Sequence, residues 1–223
     1  MYRVDVWLWS LALPADQLAA ARDVLADDER DRAARFVQAV HRDRHIAGRA
    51  RLRQILGAET GRDPRDLVFR TGAQGKPFLD GGPDFNLSHS GERAALAISR
   101  DGPVGIDVER HRPIEEAVAR HSFSPAEFAT LSGLPARDWQ GGFYRCWTRK
   151  EAVIKADGRG LSMPLDSFDV SLTPGARARL ERIAGDRPEA WRLVNFDPVP
   201  GCSGALAART GGREIALTWR ETL

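Results

Sequence analysis

The sequence predicts an α+β protein built as a pseudo-two-fold pair of similar subdomains, each a small, mainly antiparallel sheet packed on a long helix. Three observations carry this. Strand-period runs occur as close neighbours about glycine turns, as at 84–90 and 93–99 around Gly91, the mark of an antiparallel hairpin. Two long helix-period stretches, one before Gly57 and one ending near Lys155, separate the strand clusters. The order then recurs: DERDRAAR, a long helix, a Gly-rich stretch and GERAALAIS are loosely echoed by SPAEFATL, a second long helix, a Gly/Pro-rich stretch and GCSGALAAR. The turn Asp101-Gly102-Pro103 divides the halves, residues 1–102 and 103–223.

In order, residues 3–9 alternate as an opening strand, and Pro14 with Asp16 starts a short helix towards Leu25. Asp27, Asp28 and Glu29 suit the positive end of the next helix. Phe36, Val37 and Val40, then Ile46, Leu52, Ile55 and Leu56, predict helical packing that breaks near His41 and stops at Gly57. Arg42, His45, Arg49 and Arg53 fall near one face of it, to receive phosphates or simply to be solvated, with Arg44 offset. Short strands at 67–70 and 78–79 bracket a turn carrying Lys76. Beyond Pro113 a helix reaches His121, and Ser124, Pro125 and Glu127 form a capping box with proline at the first helical position. Phe123, Phe128, Leu131, Leu134 and Trp139 are core residues by default, or a docking surface for a partner helix. Strands are expected at 168–172, 191–196, 205–209 and 214–219, with no catalytic constellation among them.

With 223 residues and 42% hydrophobic content the chain can bury a substantial core. A net charge of +2 is too slight to argue for nucleic acid. Cys146 and Cys202 show neither metal-ligand spacing nor a disulfide framework, as expected of free thiols in a reducing cytoplasm. No signal-peptide pattern and no apolar stretch of membrane-spanning length is evident, so no membrane association is expected.

The chemistry concentrates in two segments. In residues 104–109 Val104, Ile106 and Val108 alternate with Gly105, Asp107 and Glu109, so both acids share one face of a strand. Phe143, Trp147, Glu151 and Lys155 step by four, so each is displaced about 40° from the last on one helix face. If these faces meet, Asp107, Glu109 and Glu151 form an all-oxygen cluster beside Lys155, which requires a hard cation such as Mg²⁺, or Mn²⁺ in its place. Such a site leaves positions for water and substrate phosphate. Only Lys76, Lys150 and Lys155 among the 33 basic residues are lysine, and two of these lie in this helix. An ammonium can give up a proton where a guanidinium cannot. The competing reading is a solvated, salt-bridged helix edge.

The segments GIDVE at 105–109 and WTRKEAVIKADGRGL at 147–161, with FNLSHS at 85–90 and GKP at 75–77, resemble the signature of the 4′-phosphopantetheinyl transferases, in the long form that activates peptide and polyketide synthetases. The resemblance extends from Arg44 to Leu165. It implies that the first half grips the nucleotide of coenzyme A and the second performs Mg²⁺-dependent transfer to a serine of an apo acyl or peptidyl carrier protein, releasing 3′,5′-ADP. Short family members are about half this length and trimerise, so a monomer is expected here. Arg44 and His89 would hold the 3′-phosphate, Lys76 would lie beside the nucleotide, and Ser88 and Lys150 would meet substrate phosphates. Asp107, Glu109 and Glu151 would hold the metal, with Glu151 a candidate base. Lys155 would protonate or neutralise the leaving phosphate, and Trp147 would pack the helix. A Mg²⁺-dependent phosphohydrolase would use the same carboxylates without a protein acceptor, and a non-catalytic coenzyme A binding protein would not need Glu151 and Lys155.

Overall fold

The computed structural model describes residues 1–221. The first half runs β1 (Tyr2–Ser10), α1 (Ala15–Asp23), α2 (Asp27–Ala34), α3 (Ala39–Thr60), β2 (Phe69–Thr71), β3 (Pro77–Leu79), β4 (Asp84–Ser90) and β5 (Arg93–Ser99). The second repeats that order as β6 (Val104–Arg110), α4 (Glu116–Ser122), α5 (Pro125–Ser132), α6 (Ala136–Asp157), β7 (Phe168–Val170), β8 (Leu180–Ile183), β9 (Trp191–Phe196) and β10 (Cys202–Arg209). The expected duplication is visible in the strand pairing. β1-β5-β4 and β6-β10-β9 are two antiparallel sheets of the same order, and β2-β3 and β7-β8 are matching hairpins. One strand has no counterpart. β11 (Ile215–Arg220) crosses from the second half and lies parallel on β1, from Tyr2 opposite Ile215 to Trp7 opposite Arg220.

Alternation along the strands sets the layers. Val4, Val6, Ala95 and Ala97 of the first sheet meet Val104, Ile106, Val108, Leu206 and Ala208 of the second in one shared core. The opposite face of the first sheet offers Trp7, Trp9, Phe85 and Leu96 to Leu52, Ile55 and Leu56 of α3. The corresponding face of the second packs Ala205 and Ala207 against Ala152, Val153 and Ala156 of α6. The halves are therefore two helix-on-sheet units placed sheet to sheet. Gly105 lets α6 approach: a Cβ there would fall 2.1 Å from the carbonyl oxygen of Ala152 and 2.4 Å from the nitrogen of Ala156.

Three local expectations change. The break near His41 is really the turn at 35–38, where Phe36 is exposed and Val37 fully so, while the exposed Val40 lies in the first turn of α3. The apolar residues there mark a connection and not a helix face. The helix also runs through Gly57 to Thr60 and ends at Gly61, whose φ of 68° suits glycine. Gly57 serves close packing instead, since a Cβ would lie 2.9 Å from the carbonyl oxygen of Arg62. Finally, β8 was not expected, because only its end residues, Leu180 and Ile183, are buried and two polar residues lie between them. Phe123 and Leu131 are core, with Phe128, Leu134 and Trp139 packed against them.

Candidate active site

The cleft forms where β4 meets β6, which are joined by side chains in place of a backbone ladder. Asp84 Oδ1, Asn86 Oδ1, Ser88 Oγ and Ser90 Oγ accept hydrogen bonds from the backbone N–H groups of Val104, Ile106, Val108 and Arg110 at 2.9, 2.9, 3.3 and 3.1 Å. Alternate β4 residues thus stitch alternate β6 residues, each pair twenty apart in sequence. This seam fixes Asp107 and Glu109 relative to the first sheet. The expected polar β6 face forms, and α6 lays Glu151 and Lys155 beside it.

Lys155 Nζ donates to Asp107 Oδ1 at 2.5 Å and to Ser88 Oγ at 3.3 Å, while Ser88 Oγ donates to the same Asp107 oxygen at 2.8 Å. Ser90 Oγ donates to Glu109 Oε2 at 2.6 Å. Asp107 is 3% exposed. Burial raises its pKa, against the lowering by Lys155 and Ser88, and the charge of Glu109 adds to the rise. Burial likewise raises the pKa of Glu151, with Lys155 opposing and Asp107 reinforcing. Asp107 is therefore repelled by Glu109 and in turn repels Glu151. Among the described residues, however, no group of three or more His, Cys, Asp or Glu side chains stands close enough to hold a metal ion without rearrangement. Lys155 instead neutralises Asp107. The donor set still fits a hard cation, because Asp107 Oδ2 is buried with no hydrogen-bond partner and its neighbours repel as carboxylates do.

The residues expected on the nucleotide side are distributed more widely. His89 follows Ser88 in β4 and so points to the opposite face of the sheet, the side of Phe85 and α3. Protein atoms flanking its ring lower its pKa below the ordinary 6.5, and the charges of Lys155 and Arg44 lower it further. Arg44 donates to Glu92 at 3.2 Å, an exposed pairing that a better anion can displace. Lys76 donates to Asp84 Oδ1 at 2.8 Å and to the carbonyl of Val104 at 3.1 Å, pinning its turn to the start of β6 beside a cavity of about 250 Å³ lined also by Gln74, Phe78 and Gly158. Ser88, expected against the phosphates, is 7% exposed and holds Asp107 and Val108.

Lys150 is a correction. Its side chain is 1% exposed, and its ammonium donates to both oxygens of Glu127, at 2.8 and 2.7 Å, and to the carbonyl of Phe168 at 2.7 Å. All three N–H groups are spent, so none remains for a substrate phosphate. The residue turns inward because Glu127, read as a capping acid, is itself buried and must be neutralised. Arg53 is buried in the same way on Glu29 at 2.5 Å, and Arg49 binds Glu29 too, so the arginine face of α3 is largely structural. His45 lies tilted against Phe36, ring centroids 5.4 Å apart, with its Nε2 buried and unpartnered.

Known proteins bear on this geometry. The sequence pattern of the 4′-phosphopantetheinyl transferase superfamily matches residues 103–212, and that of the 4′-phosphopantetheinyl transferase N-terminal region matches residues 12–101. The 4′-phosphopantetheinyl transferase HetI of Nostoc sp. is 38% identical over 212 residues, 91% of this chain and 87% of that one. The chain belongs to the 4′-phosphopantetheinyl transferase superfamily. The 4′-phosphopantetheinyl transferase Sfp of Bacillus subtilis is 32% identical over 176 residues, 78% of each chain. Among solved structures, the holo-[acyl-carrier-protein] synthase of Thermotoga maritima has a TM-score of 0.38 at 20% identity over 47% of this chain and 61% of that one, a likeness too slight to build on. The enzyme is a 4′-phosphopantetheinyl transferase.

Two features of the transferase cleft escaped the sequence reading. Asn86 and Ser90 build the seam, and their signal was the alternation of Asp84, Asn86, Ser88 and Ser90, all hydrogen-bond acceptors on one strand face. The Glu127–Lys150 pair had no local signal, because its partners lie 23 residues apart.

Proposed function

We propose that this transferase moves 4′-phosphopantetheine from coenzyme A to a serine of an apo acyl or peptidyl carrier protein of peptide or polyketide synthesis, releasing 3′,5′-ADP, as a cytoplasmic monomer. The observation that carries the reading is the buried, unpartnered Asp107 Oδ2 beside Glu109, Glu151 and Lys155. Asp107, Glu151 and Glu109 would hold Mg²⁺, with Mn²⁺ as its substitute. The bound cation supplies charge neutralisation for the pyrophosphate.

The protein groups divide the remaining work. Residues 1–102 hold the nucleotide, through Arg44 and His89 at the 3′-phosphate and Lys76 beside the nucleotide. Residues 103–223 carry the reacting carboxylates. Glu151, whose pKa burial raises, is suited to take the proton of the acceptor hydroxyl as that oxygen attacks the β-phosphorus. The phosphorus–oxygen bond to 3′,5′-ADP breaks, and Lys155 neutralises or protonates the leaving phosphate. Ser88 keeps Asp107 in place for this exchange.

The test is mass spectrometry of apo carrier proteins incubated with the enzyme, coenzyme A and Mg²⁺. The expected result is a carrier heavier by one phosphopantetheine and an equal amount of 3′,5′-ADP. Consumption of coenzyme A with every carrier left unmodified would assign hydrolysis instead.

A further inference from the structure

The pseudo-two-fold relation extends to one buried side-chain arrangement that the proposed reaction does not use. In each half an acid at the third position of a short helix, Glu29 of α2 or Glu127 of α5, accepts from the backbone N–H just before that helix, Ala26 at 3.1 Å or Ser124 at 2.9 Å. The same carboxylate holds a buried cation from the long helix. That cation is the fifteenth of 22 residues in both, Arg53 of α3 and Lys150 of α6. Each then donates to a backbone carbonyl beyond its helix, Leu67 at 3.0 Å or Phe168 at 2.7 Å. Each also lies over a phenylalanine opening the following hairpin, Phe69 at 5.2 Å or Phe168 at 4.2 Å. Glu127 receives one further bond, from the N–H of Val170 at 2.8 Å.

We infer that Glu29–Arg53 and Glu127–Lys150 are a duplicated positioning device, the first setting α3 for Arg44 and the second setting α6 for Glu151 and Lys155. The inference rests on the functional reading above. A charge pair buried this completely costs desolvation that apolar residues of the same shape would avoid, so stability alone is a weak reason for it. What the pair adds is direction. Lys150 makes two short hydrogen bonds to Glu127 and a third to a fixed carbonyl, and Arg53 makes one to Glu29 with two more to the carbonyls of Pro64 and Leu67. Such bonds lock the rotation of the long helix about its axis, where apolar packing tolerates small rotations. On α6 the opposite constraint is Gly105, against which Ala152 and Ala156 are pressed, so the helix is pinned on two flanks. A side-chain tip about 6 Å from a helix axis moves about 1 Å for a 10° rotation. Misplacing a reacting group by that much costs about 10²-fold in rate.

The two devices predict separable losses. Lys150→Met alone would leave the Glu127 carboxylate buried without a counter-ion, so the informative variant is the neutral pair Glu127→Gln with Lys150→Met. Its kcat should fall about 30-fold to 100-fold, while calorimetry shows a coenzyme A Kd within about threefold of the parent. Glu29→Gln with Arg53→Met should do the reverse, raising that Kd about tenfold with kcat at saturating coenzyme A within about threefold. Lys150→Arg, which installs the cation found at the matching place, should recover most of kcat. Unchanged kcat in the first neutral pair, or a raised Kd with unchanged kcat, would overturn the inference. A crystal structure of that variant gives a readout independent of activity. A shift of the Glu151 carboxyl relative to Asp107 by about 1 Å supports the device, and superimposable cleft residues refute it. Failure of the parent enzyme to modify any carrier would instead count against the functional reading and leave this structural comparison intact.

Discussion

Lys155 Nζ reaches across from α6 to Asp107 Oδ1 of β6 at 2.5 Å, while Oδ2 of that carboxylate is buried with no partner among the described residues. One oxygen is neutralised by the protein and the other is not. An unsatisfied buried carboxylate oxygen is costly, and a divalent cation would satisfy it.

Asp107→Asn keeps the shape of the side chain and removes its charge. Initial rates of carrier modification should fall at least about 10²-fold and should not recover at raised Mg²⁺, because metal assistance supplies several kcal/mol of charge stabilisation. Parent activity in the Asn variant with a chelator present would end the metal reading.

Lys155→Arg retains a positive charge next to Asp107 and still forms an ion pair. A guanidinium stays protonated, so if Lys155 supplies a proton the variant should lose about 10²-fold or more in kcat. A variant with parent kcat would reduce Lys155 to an electrostatic role.

His89 and Arg44 give a binding prediction that dephospho-coenzyme A can isolate. Charge-assisted hydrogen bonds contribute about 1.5 to 3 kcal/mol, so His89→Ala or Arg44→Ala should raise the KM for coenzyme A about tenfold to 100-fold, with kcat little changed. Neither should matter for dephospho-coenzyme A. Equal penalties on both substrates would make His89 structural.

The same histidine sets a pH dependence. Its pKa is lowered in the ligand-free protein, so the ring is neutral at pH 7, whereas a phosphate dianion favours the imidazolium. Binding therefore takes up a proton. Affinity for coenzyme A is greatest below the free-protein pKa and falls as pH rises towards the higher pKa of the complex. Calorimetry between pH 6 and 8 in about half-unit steps should show this in the parent and a shallower trend in His89→Gln.

Gly105→Ala tests how tightly α6 is pressed onto β6. The added methyl would meet main-chain atoms of Ala152 and Ala156 inside contact distance, and backbone cannot rotate away as a side chain can. Overpacking of this kind costs about 1 to 3 kcal/mol or more, so the thermal midpoint should drop by several degrees and transfer should suffer with it. A midpoint equal to the parent would mean that the helix has room.

Asn86→Ala removes the acceptor for the buried N–H of Ile106. An unsatisfied buried donor costs about 1 to 3 kcal/mol, which chemical denaturation should register as a lower midpoint at unchanged slope. Equal midpoints would show that water replaces the side chain.

The sequence by itself determined most of the elements, the duplication and the face on which Asp107, Glu109, Glu151 and Lys155 stand, because periods of two and near four are local properties of strand and helix. The hairpin about Gly91 and the strand of Asp107 and Glu109 were legible to the residue or within one of it. Lys150 was misread for a matching reason. Nothing within one turn of the helix shows that an acid 23 residues earlier will be buried against it. The tertiary structure alone decided which cations face solvent, which strand face is sewn to which, and that β11 returns to β1. Those outcomes depend on desolvation and close approach between segments distant in the chain, and pattern within a segment carries no record of them.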